Sequence, residues 1–161
     1  IGKRKNGSYI IADVINRRMN ASEVRQTVLN TAKIDKAKYK NVKIRLSQDP
    51  GQAGKDQAEQ YIKLLSGFSV SVVRESGSKE TRAEPFSAQW IGLQGTEKGN
   101  VFVLLSDWTE SYLSQLESFP EGKYKDMADA SSNGFAELTK GNTAIVPPTY
   151  FAEKDRENGW I

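Results

Sequence analysis

The chain is organised around the stretch Val42 to Lys55, VKIRLSQDPGQAGK, in which a strand runs through an acidic residue into a tight turn and a helix. Val42, Ile44 and Leu46 alternate with polar residues, the period-2 signature of a strand. Asp49 follows where that strand should end, and Pro50-Gly51 marks a sharp turn. Ala53 to Ser66 then reads as a helix, with Ala58, Tyr61, Ile62 and Leu65 on one side. In open α/β sheets, ligands sit outside the carboxyl ends of the strands. An Asp placed there is positioned to hold a metal or activate a water. The plainer reading is that it caps the helix, as Asp often does.

The remaining chain repeats the alternation of strand and helix. Asn6-Gly7 is a hairpin signal, with Ser8 to Ile15 as the returning strand. Its partner should lie upstream of Lys3, so the expectation is a chain that opens inside a hairpin. Asp13 on that strand is expected to face solvent. Asn20 and Glu23 have capping-box spacing at the head of a helix over Asn20 to Ile34, followed by a charged connection, Lys33 to Asn41. Phe68 to Arg74 is a strand. Glu80 to Gln94 is a helix that starts or breaks at Pro85. The apolar run Val101 to Leu105 predicts a strand covered on both faces. Asp107 and Glu110 resemble a capping pair for a helix over Trp108 to Phe119. A last helix, Asp126 to Thr139, is rich in small residues and expected to lie close against the sheet. Gly141 to Ile161, with Pro147-Pro148, reads as an extended tail beyond a domain of residues 1–140. The order predicts an α/β layer fold with a mixed sheet, an antiparallel hairpin first and parallel strands after it.

Composition narrows the chemistry. The 161 residues suffice for one domain with a real core. There is no cysteine and no histidine. Disulfides, thiolate zinc sites, serine–histidine triads and histidine metal sites are therefore excluded within the chain. Acid–base or metal chemistry must use carboxylates, Lys, Tyr or bound water, and carboxylates suit hard cations such as Mg²⁺. A net charge of +3 mildly favours a polyanionic partner. No apolar run approaches the length that spans a membrane.

Three carboxylates are candidates for that chemistry: Asp49 at the strand end, and Asp126 with Asp129 on one face of the last helix. Carboxylates sharing a site repel one another, and a divalent cation removes the conflict. The alternative is that Asp126 and Asp129 only complement the helix dipole. Lys55, Lys79, Arg82, Lys123 and Lys125 would fall on loops or helix starts near the same edge, where they could neutralise phosphates or simply be solvated. Gly51 to Lys55 is not a nucleotide-binding loop. Two residues separate its glycines where four are needed, and Asp56 stands where Ser or Thr would meet Mg²⁺.

Four blocks in order, QDPGQAGKDQ (48–57), KETRAEPFSAQ (79–89), GNVFVL (99–104) and FPEGKYKDMADA (119–130), give the chain a family resemblance. It resembles the carboxyl-terminal nuclease domain of tailed-phage terminase large subunits, from about Tyr9 to Leu138. Such domains are similar to the ribonuclease H and resolvase-type integrase fold. The resemblance implies a metal-dependent endonuclease that cuts concatemeric double-stranded DNA with two Mg²⁺ or Mn²⁺ ions, leaving a 3′-hydroxyl and a 5′-phosphate. It implies Asp49, Asp126 and Asp129 as metal ligands, and Lys79 and Arg82 as a basic stretch beside them. It also implies a packaging ATPase domain, a small terminase subunit and a portal as partners, in the cytoplasm of an infected bacterial host. Two departures stand out. The family's last motif commonly reads His-Asp-Asp-x-x-Asp-Ala, and Tyr124 and Lys125 replace its His and first Asp. The family's first catalytic Asp lies on a strand that would precede Ile1, so one metal ligand and a central strand are expected to be missing. A catalytically silent DNA-binding or docking module of the same fold, and a Holliday-junction resolvase or transposase-like nuclease, are the alternatives.

Overall fold

The chain alternates strands with helices, and its sheet structure falls into two ladders. The computed structural model describes residues 1–39, 41–92 and 98–140. The tail expected over residues 141–161 lies outside them. The elements are β1 (Gly2–Lys3), β2 (Tyr9–Ile11), α1 (Ala21–Lys38), β3 (Lys43–Gln48), α2 (Gln52–Leu64), β4 (Ser69–Arg74), α3 (Lys79–Ile91), β5 (Val101–Val103), α4 (Thr109–Glu117) and α5 (Asp126–Thr139). One sheet has the order β1-β2-β5, and β3 pairs with β4 in the other. The hairpin β1/β2 is antiparallel, with Gly7 in the left-handed turn, and β2/β5 and β3/β4 are parallel. This is the mixed α/β architecture expected from the sequence, an antiparallel hairpin first and parallel pairing after it. The single sheet is replaced by two ladders without a shared strand among the described residues.

Helix α5 joins the two ladders. Its Phe135 ring meets Tyr9 of β2 edge-on at 4.8 Å, while the neighbouring turn reaches β3 through Asn133. Small side chains allow this close approach. Ala128, Ser131 and Ser132 are buried, and both serines return their hydroxyl protons to carbonyls one turn back at 2.8 Å, so no buried hydroxyl is stranded. Tyr9, Ile11, Phe86, Tyr112, Met127 and Phe135 form the main core. Full burial of a large apolar side chain contributes about 1.5–3 kcal/mol. The Tyr112 hydroxyl donates to Ser131 Oγ at 2.8 Å, since Ser131 commits its own proton to Met127 O. Burial pushes the Tyr112 phenol up to about 12.

Several local expectations change. Helix α1 runs to Lys38, a turn past Ile34, and its Asn20–Glu23 capping box is formed. Helix α3 starts at Lys79, capped by Ser78, and passes through Pro85. The Ser78 cap fixes the start upstream, so Pro85 falls inside the helix. Asp107 does not cap α4. The cap residue is Trp108, with no side-chain hydrogen bond, and Thr109 Oγ1 ties the preceding turn instead, accepting from Ser106 N at 2.8 Å and donating to Leu104 O at 3.1 Å. Among the described residues β5 is an edge strand, with Phe102 half exposed beneath the Arg4 guanidinium and Leu104 and Leu105 open to solvent. An unbroken apolar run therefore did not signal cover on both faces. Among the described residues no helix is long and apolar enough to cross a membrane.

Candidate active site

The first turn of α5 carries Asp126 and Asp129, one turn apart and on the same side as the sequence predicts. Facing them is the first turn of α3, with Lys79 and Arg82. Lys79 Nζ lies 3.7 Å from Asp126 Oδ1 and 3.7 Å from Asp129 Oδ2. Arg82 Nη2 donates to Asp129 Oδ1 at 2.7 Å. Asp126 is open, with its side chain 75% exposed, whereas Asp129 is recessed at 18%. One carboxylate is thus presented outward and the other is locked behind it.

Behind Asp129 the charges continue into the β3–β4 ladder. Glu75, just past the end of β4, sits between two arginines: Arg45 Nη2 at 3.2 Å and Arg82 Nε at 3.5 Å. Ser47 donates to the same carboxylate at 3.1 Å. Arg45 also approaches Glu137 at 3.8 Å, and Glu137 is bound by Lys140. That Lys140 hydrogen bond holds the Glu137 carboxyl below the usual glutamate range. The result is an alternating row, Lys140–Glu137–Arg45–Glu75–Arg82–Asp129–Lys79–Asp126, in which each interior charge has an opposite charge on both sides. The row is imperfect in hydrogen bonding. Among the described residues Arg45 Nε and Arg82 Nε are buried without a hydrogen-bond partner, although Arg82 Nε lies 3.5 Å from Glu75 Oε2.

The other predicted residues sit differently. Asp49 follows the end of β3 directly, as expected, but it is exposed and forms no ion pair among the described residues. It does not cap α2, whose cap residue is Gly51, with no side-chain hydrogen bond. Its backbone is what the helix uses: Gly54 packs so tightly on the Asp49 carbonyl that a Cβ has no room. Lys125 is paired to Glu80 at 3.3 Å, and Lys123 lies over the Tyr124 ring at 5.3 Å. Lys55 is exposed on the first turn of α2. Among the described residues no three acidic side chains come close enough to hold a metal ion, so Asp49, Asp126 and Asp129 are not assembled into a ligand set.

Sequence reasoning missed Glu75, Arg45 and the pair Arg17-Arg18. Glu75 had a usable signal, because it is the residue after a strand, the argument applied to Asp49. Arg45 had none, since an Arg in a strand normally faces solvent.

An α/β domain with paired carboxylates at one edge is the general architecture of ribonuclease H-like domains. The family profile of the terminase RNaseH-like domain matches residues 1–138, and the chain belongs to that family. Comparisons with curated proteins and with solved structures gave no significant match.

Proposed function

We propose that this chain is the DNA-cutting module of a viral packaging terminase, acting on concatemeric double-stranded DNA. The observation that carries this reading is the acid–base cluster of Asp126, Asp129, Lys79 and Arg82 in a chain of the terminase RNaseH-like family. Asp126 offers exposed carboxylate oxygens beside a solvent-open groove. Asp129, fixed by Arg82, sets the position of Lys79, and Lys79 in turn neutralises Asp126. In the hydrolysis, a water oxygen adds to phosphorus and gives up a proton to solvent, the bond to the 3′ oxygen breaks, and that oxygen takes up a proton from solvent.

The two Mg²⁺ or Mn²⁺ ions implied by the resemblance do not fit the described residues as they stand. Both carboxylates of the pair already face Lys79, and no third stands beside them. Completing such a site would take a further carboxylate. The test is plasmid nicking in Mn²⁺, Mg²⁺ or EDTA, by this chain and by a version extended upstream. Metal-dependent nicking by the extended chain, abolished by Asp126→Ala, supports the reading. Folded protein that never nicks but binds DNA supports the silent docking module instead. A strong preference for branched over linear DNA favours a resolvase-like enzyme.

A further inference from the structure

The surface beside Asp126 holds a depression that the carboxylate chemistry does not use. Two open hollows, of about 370 and 360 Å³, share Asn16, Gln115 and Tyr124 and so form one groove. Arg17 and Arg18, from the loop between β2 and α1, line one part, and Lys123 lines the other. Asp126 stands in the wall and is the one carboxylate lining the groove among the described residues. The cations around the acid pair are already neutralised: Lys79 and Arg82 by the aspartates, Lys125 by Glu80. Arg17 and Arg18 are exposed and form no ion pair among the described residues. Gln115 sharpens the polarity. Its Oε1 accepts from Met127 N at 2.6 Å, so the group it has left to offer the groove is its donor NH₂.

We propose that this groove is the track for a DNA phosphate backbone, with Arg17, Arg18 and Lys123 contacting successive phosphates and delivering the strand to Asp126. The proposal rests on the nuclease reading and adds the residues that seat its substrate. The lining favours backbone over base recognition. Tyr124 is the aromatic ring in the groove, and the Lys123 ammonium lies over its face, which opposes base stacking there. Binding through phosphates carries no sequence preference and depends steeply on salt.

The test is fluorescence anisotropy with a short blunt duplex of arbitrary sequence, in EDTA, over a salt series. Wild type is compared with Arg17→Ala/Arg18→Ala and with Lys33→Ala/Lys38→Ala, a control pair on α1. Loss of two phosphate contacts should lower the slope of log K against log salt by about 2 and weaken binding at low salt at least about tenfold. The control should stay within about twofold, the change expected for charges outside the contact. Thermal melting confirms that the variants fold, as expected for exposed side chains. A variant that matches wild type in slope and affinity, or a control that falls as far, overturns the groove. If wild type binds and nicks while the variant is unaffected, the groove fails and the nuclease reading stands. If the folded wild type binds no duplex, the groove is overturned whatever the nicking assay shows.

Discussion

A double-mutant cycle on Arg82 and Asp129 measures whether the charge row behaves as a recessed network or as surface decoration. The pair is 2.7 Å apart and both side chains are 18% exposed. At that separation the Coulomb attraction is about 1.5 kcal/mol in water and about 6 kcal/mol at an effective dielectric of 20. Desolvation of both groups offsets much of the larger figure. A charged hydrogen bond in such a setting contributes about 1.5–3 kcal/mol net, so a coupling of about 2 kcal/mol is expected. The geometry makes the cycle clean. Arg82→Met leaves Asp129 with Lys79, and leaves Glu75 with Arg45; Asp129→Asn leaves Arg82 beside Glu75. Neither single change strands a buried charge, so the coupling reads the pair itself. The assay is urea unfolding of wild type, both single variants and the double variant, at low salt and at about 0.5 M, where exposed charges are strongly screened. A coupling below about 0.5 kcal/mol, or one that vanishes in salt, would place the pair among solvent-exposed bridges and refute the reasoning.

Two further outcomes are expected. The folded-state value of Glu137 lies below its unfolded value, so its contribution is present above the unfolded value and disappears as pH falls through the folded one; wild type should therefore lose stability more steeply on acidification than Glu137→Gln, which urea midpoints from neutral into the acid range would show. Gly54→Ala should destabilise by about 1–3 kcal/mol despite the better helix propensity of Ala, because the new Cβ meets backbone rather than a yielding side chain; a neutral or stabilising result by thermal melting would mean that the start of α2 can shift.

What the sequence made legible was local. The Asn20–Glu23 box, the strand ending at Gln48 and the shared face of Asp126 and Asp129 each depend on spacings of a few residues. The row through Arg45, Glu75 and Arg82 was not legible, because it joins side chains from β3, the end of β4 and α3 across 30 residues of sequence and more. Val101 to Leu105 misled for a related reason. An apolar run reports that something can be covered, while the neighbouring element decides which face is. Arg17-Arg18 lacked a pattern of its own, and only the placement of α4 and the start of α5 turns that loop into the wall of a groove.

The division of the strands into two ladders bears on how the molecule opens. Backbone hydrogen bonds make each ladder cooperative within itself, yet none link β1-β2-β5 to β3-β4 among the described residues. Helix α5 touches both, through Phe135 on one side and Asn133 on the other. Fluctuations that expose amides of one ladder to exchange with solvent can leave the other protected, so the two should behave as separate exchange units. The α5 amides, released only when both sets of contacts are undone, should be the slowest to exchange, which makes this helix the clamp on which the alignment of Asp126 and Asp129 depends.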